Sequence, residues 1–147
     1  MLLAFSDTRI ILLNLADAGI YWLLAESSML FAGHHGSVVL WWPSGGFALA
    51  VLLLNGLRFA PGVFIGAFIS GISFGGTLEV ASIIGLGNCS EIVFGWWLLS
   101  QRMKLDVSIN RLHDFLLILS VSPLIATIGS LVGAASLTTV ESGGRRR

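Results

Sequence analysis

The chain has 147 residues, of which 55% are hydrophobic and 11% charged, with a mean hydropathy of +0.89. Soluble domains carry about 25% charged residues, so this composition excludes an ordinary soluble surface and predicts an all-α protein of the lipid bilayer. Eight Lys and Arg balance eight Asp and Glu, which leaves no basic surface for nucleic acid. The one cysteine, Cys89, offers neither a disulfide framework nor a thiolate metal cluster and reads as a small buried packing residue.

Five apolar segments are set here against the roughly 20 residues a spanning helix needs. The first, Ile10 to Ala32, carries Asn14, Asp17 and Tyr21 at spacings of three and four, which line one stripe of a helix. Asp17 is the deepest charge in that stripe and is expected to meet a polar partner on the fourth helix or to face a ligand. Glu26 lies on the opposite side, nearer the outer boundary, where an interfacial contact suffices. Asn14 and Asp17 interrupt the apolar run and no small-residue cleavage site follows, so the segment reads as a retained first helix, not a secretory signal.

His34 and His35 occupy the short loop that follows. A defined metal site usually needs three or four ligands, and no Cys or carboxylate cluster accompanies this pair, so no metal or other cofactor is expected. The second segment, Val38 to Leu57, has Pro43 at the position where proline is best tolerated, the first helical turn. Trp41 and Trp42 fall at the predicted outer boundary. They read either as headgroup anchors or, in the corner Trp42, Pro43, Ser44 and Gly45, as one wall of a broken-helix opening whose free amides hold a small ligand.

The third segment, Pro61 to Phe74, is short for a span unless Arg58 to Ala60 extend it or it is re-entrant. Its Gly62, Gly66 and Ser70 recur every four residues, as do Gly71 with Gly75, a spacing that lets helix backbones approach in lipid. The fourth, Thr77 to Ser100, places Ala81, Gly85, Asn88, Glu91 and Gly95 within about 120° of one helix face. Small residues there flank a polar pair, and a carboxylate in the bilayer needs a partner, a proton or water, so Asn88 and Glu91 are ligand-binding candidates beside an alternative role as interhelical glue. Trp96 and Trp97 read as anchors at the opposite boundary.

The stretch Gln101 to Asp114 is polar and mildly basic, suited to the cytoplasmic surface as a solvated connector. The fifth segment, Phe115 to Leu137, contains Pro123, expected to kink it, and Gly129 and Gly133 at packing spacing. Residues 1–137 form the membrane domain and residues 138–147 a short polar, basic tail. Arg9, Arg58, Arg102, Lys104 and Arg111 share one side if the N-terminus is cytoplasmic, and the opposite loops Gly33 to Ser37 and Gly75 to Gly76 contain no Lys or Arg. The expected architecture is therefore a polytopic transmembrane helix bundle of about five segments with a cytoplasmic N-terminus. The arginines at 145 to 147 disagree with that scheme after a fifth crossing, which suggests an incomplete chain, an altered end, or a last segment that does not cross.

Taken in order, Trp42 to Gly45, Gly56 to Phe68, Gly75 to Leu78 and Gly87 to Glu91 resemble the bacterial membrane-associated sensor domain of the first type, over roughly Leu12 to Leu137. The amino-terminal membrane region of hexose-phosphate sensor kinases looks similar. The resemblance implies an eight-helix sensory input domain in the inner membrane, usually fused at its C-terminus to a diguanylate cyclase, a phosphodiesterase or a histidine kinase. This chain departs from that pattern by stopping after about five segments without an output module.

There is no phosphate-binding Gly-rich loop followed by Lys and no metalloprotease helix. The expected role is a non-enzymatic sensory input whose partners are the bilayer, a small-molecule ligand, and a signalling output domain or membrane partner protein. The alternative is a small-solute transporter or its substrate-capture subunit, because broken helices with intramembrane carboxylates also line substrate pathways.

Overall fold

The structure, a computed structural model, describes residues 7–30, 42–108 and 111–144, with side-chain surroundings given as far as 127 and at 129. Five α-helices, and no strand, occur among the described residues: α1 (Asp7–Leu30), α2 (Pro43–Asn55), α3 (Ala60–Ser73), α4 (Leu78–Trp96) and α5 (Leu112–Gly144). Each falls on one of the five apolar segments, and their ends follow local chemistry. Pro43 and Pro61 stand in the first turns of α2 and α3, where a missing N–H leaves no bond unmade. Thr77 caps α4, its hydroxyl accepting from Val80 N at 3.4 Å.

Gly56 and Gly75 both adopt φ +85°, which an L side chain resists, and each closes a tight link between helices. After Gly56 a 3-10 turn, Leu57–Phe59, feeds directly into α3, so the third segment is extended backward as Arg58 to Ala60 suggest. Beyond Trp96 the backbone of α4 widens to π-helical spacing over Trp97–Arg102, a feature the apolar pattern does not encode. Helix α5 starts three residues before the expected Phe115 and continues past Leu137 to Gly144, running through Pro123, which has no N–H to offer the preceding turn. Residues 31–41, with His34, His35 and Trp41, lie outside the described residues.

Contacts fix the directions of the helices. Asn14 meets Gly62, Tyr21 meets Gly66, and Trp22 meets Ser73, so α1 and α3 run parallel. Gly71 faces Ala81, Gly85 faces Phe64, and the Cys89 thiol reaches the Ala60 carbonyl at 3.5 Å, so α4 runs antiparallel to α3. Gly95 faces Ile125 and Glu91 faces Gly129, which makes α5 antiparallel to α4. The bundle thus alternates in direction, with α3 packed on both α1 and α4, and α2 bridging α1 and α4.

One apolar core joins Tyr21, Ala25, Ala48, Leu52, Phe59, Val63, Ala67 and Ile92 from the first four helices. A second joins Leu99, Leu105, Val121 and Ile125 where the end of α4 meets α5. Large aliphatic side chains also cover much of the exterior. Helix α1 buries Asn14, Asp17 and Tyr21 while Ile11, Leu12, Leu15 and Leu23 are 53–61% exposed. Polar groups inside and large aliphatics outside reverse the soluble pattern and suit a surrounding lipid phase.

Among the described residues two helices, Asp7–Leu30 and Leu78–Arg102, are long and apolar enough to cross a membrane. Helices α2 and α3, with 13 and 14 residues, rise about 20 Å, against a hydrocarbon core of about 30 Å.

Candidate functional site

The polar stripe of α1 meets the beginning of α3. Asn14 accepts a hydrogen bond from Gly62 N at 2.8 Å and donates to the carbonyls of Arg58 and Ile10, both at 3.0 Å. One side chain thereby satisfies backbone groups at the start of one helix and on its own helix. Asp17, 4% exposed, sits beside it, and neither carboxylate oxygen makes a hydrogen bond among the described residues. A Cβ at Gly62 would lie 2.6 Å from Asp17 Oδ2 and 2.7 Å from the Asn14 carbonyl, so only glycine admits this approach. Gly66 serves the same purpose a turn later, against Tyr21 and the Ala18 carbonyl.

Asp17 was expected to reach toward the fourth helix, and here the structure differs: the carboxylate abuts Gly62 of α3. The reason is positional, because α3 stands between α1 and α4 at this level. Glu26 accepts from the Trp22 indole N–H at 2.9 Å, and that same N–H lies 3.0 Å from Ser73 Oγ on α3.

The corner Trp42 to Gly45 and Glu91, far apart in sequence, come together around one cavity. It measures about 270 Å³, and its walls are Trp42, Gly45, Gly46 and Leu49 of α2, Glu91 and Ile92 of α4, and Ser122, Ile125 and Ala126 of α5. Trp42 precedes the first turn of α2 and packs edge-on against Phe74 at 6.4 Å and 69°, which holds the indole at the rim. Pro43 starts the helix behind it. Ser44 is fully buried and its hydroxyl makes no hydrogen bond among the described residues. Tyr21, 1% exposed, brings its hydroxyl beside Trp42 and Ser44 and within electrostatic reach of Glu91.

Glu91 is half-buried and turned toward α5, where a Cβ on Gly129 would overlap its carboxylate. No hydrogen bond or ion pair to Glu91 occurs among the described residues. Asn88, one turn earlier, is half-buried but does not belong to the cavity wall. The arc expected to form one interface is divided between neighbours: Gly85 packs against Phe64 of α3, whereas Gly95 packs against Ile125 of α5 and Leu49 of α2. Gly133 lies outside the residues whose surroundings are described.

Sequence reasoning missed Tyr21, Leu49 and Ser122 as neighbours of the site. Ser122 beside Pro123 was the one signal available for α5, a hydroxyl next to a helix interruption in an apolar run. No group of three or more His, Cys, Asp or Glu able to hold a metal ion occurs among the described residues.

An all-helical fold with long apolar helices, a lipid-suited exterior and a polar seam within defines a membrane-associated domain. The MASE1 family model matches residues 12–144, and the chain belongs to that family, the membrane-associated sensor domains of signalling proteins. Such domains are sensory inputs and not themselves catalytic. No curated protein and no solved structure matches the chain.

Proposed function

We propose that this chain is the ligand-sensing portion of a multi-pass input domain in the bacterial inner membrane, with a cytoplasmic N-terminus and about five crossings. The cavity shared by Trp42, Gly45 and Glu91 receives a small molecule. The observation that carries this reading is the convergence of the Trp42 to Gly45 corner and Glu91 on a single space with three helices as walls. A ligand there favours one packing of α2, α4 and α5 over another, and that difference in affinity is what drives a change in the bundle. An output module such as a diguanylate cyclase, a phosphodiesterase or a histidine kinase would read the resulting helix shift.

The test uses the purified chain in lipid nanodiscs, with thermal stability measured against a panel of small metabolites. We expect at least one to stabilise the wild-type chain and to lose its effect in Gly45→Leu, whose added side chain enters the cavity beside Trp42 Cδ1. Stabilisation unaltered by that change refutes the site. Net uptake of the same solute into vesicles would replace sensing with transport.

A further inference from the structure

The cavity at Glu91 does not end at Leu49. A second space of about 300 Å³ shares Gly46, Leu49 and Ser122 with it and continues along α2 past Leu53 and Leu54, with Ile118 opposite and Leu105 and Val107 at the far end. Apart from Ser122 its walls carry no polar side chain among the described residues. From Gly46 to Leu54 the trough follows α2 for about 12 Å of helix rise. Its rim is open, with Leu54 70% and Val107 38% exposed.

The two spaces are chemically opposite. Among the described residues Glu91 is the only ionisable one that lines them, and it has no cationic partner there. Trp42 lines the same cavity, and an aromatic ring and a carboxylate around one space attract an ammonium group by two additive routes, charge and ring quadrupole. An anion placed here would meet Glu91, and a purely polar solute would leave the aliphatic trough empty.

We infer that the ligand class of this site is a cationic amphiphile, an amine or quaternary ammonium head at Glu91 and Trp42 with an aliphatic tail in the trough lined by Leu49, Leu53 and Ile118. The inference rests on the sensory reading of the cavity and adds the chemistry of what is sensed. The tail enters sideways from the bilayer through the open rim, and the head replaces the cation that Glu91 lacks.

The full chain is reconstituted in nanodiscs of neutral galactolipid, which brings no amine headgroup to compete. Radiolabelled octyltrimethylammonium is the probe, and octanoate, octanol and choline are the comparisons. The expected result is saturable binding of octyltrimethylammonium, with each comparison weaker by about tenfold or more. Glu91→Gln is expected to weaken the probe by about tenfold, since it keeps the shape and removes the charge. Gly46→Leu is expected to abolish tail-dependent binding. A Cβ at Gly46 meets no atom within 4 Å, so the new side chain starts into open space where the two cavities meet.

Equal binding of octanol and octyltrimethylammonium, or full-strength binding by Glu91→Gln, overturns the inference. If a polar metabolite stabilises the wild-type chain but not Gly45→Leu while octyltrimethylammonium fails to bind, the sensing cavity stands and the amphiphile is wrong. If neither binds, both readings fall.

Discussion

At the residue scale, Gly62 shows most directly how little space the bundle leaves. Two oxygens, from the Asp17 carboxylate and the Asn14 backbone, lie within 2.7 Å of where its Cβ would be, and the backbone oxygen can withdraw only if α1 itself shifts. Gly62→Ala is therefore expected to destabilise the chain by about 1–3 kcal/mol, the usual cost of overpacking. Gly19→Ala makes the control, because nothing lies within 4 Å of its Cβ and an alanine in a helix gains about 0.5–1 kcal/mol over glycine. Reversible unfolding in mixed micelles with SDS measures both; a neutral Gly62→Ala would show that α1 and α3 separate at no cost. Four-residue spacing marks Gly62 and Gly66 as candidates for a close helix approach. Which helix they face is not marked by it, since spacing identifies a close approach but does not name the partner.

At the scale of elements, the end of α4 and the loop behind it act together. The π-helical turn Trp97–Arg102 rotates the chain so that Leu105 folds back under the bundle, its N–H donating to the Leu99 carbonyl at 2.9 Å and its side chain joining Leu99, Val121 and Ile125. Asp106 then fixes the turn by accepting from the Ser108 hydroxyl and from Ser108 N at 3.0 Å. Those bonds favour the charged carboxylate and hold the Asp106 pKa below its ordinary value, with a smaller pull from Arg111. The sign follows: a depressed folded pKa makes the turn's contribution fully present above the ordinary carboxylate range, and it is lost as pH falls through the lowered value. A carbon-13 NMR titration is expected to place the Asp106 midpoint below that of an unstructured aspartate and to bring it upward in Ser108→Ala. Identical midpoints in the two proteins would discard the hydrogen bonds as the cause. Sequence reasoning took this stretch for a solvated connector, because hydropathy registers Leu105 as one apolar residue among charges and says nothing of a widened turn that buries it.

For the whole molecule, the five apolar runs and their proline starts were plain in the sequence, since helix formation and hydrophobicity are local. The meeting of Trp42, Tyr21 and Glu91 was not, because it depends on three helices arriving at one level. Orientation in the membrane is testable with single cysteines placed in a Cys89→Ser background. Gln101→Cys is expected to react with an impermeant thiol reagent in inside-out vesicles and Glu79→Cys in right-side-out ones; the reverse pattern would put the N-terminus outside. The Asn14 clasp carries one more implication. By holding the Arg58 carbonyl and the Gly62 N–H at the start of α3, it ties that helix to α1, while α2, α4 and α5 meet around a cavity. Because α3 packs on α4 as closely as on α1, a shift of α4 at the cavity would be felt through α3 at the clasp, which puts the two places in series and not in parallel.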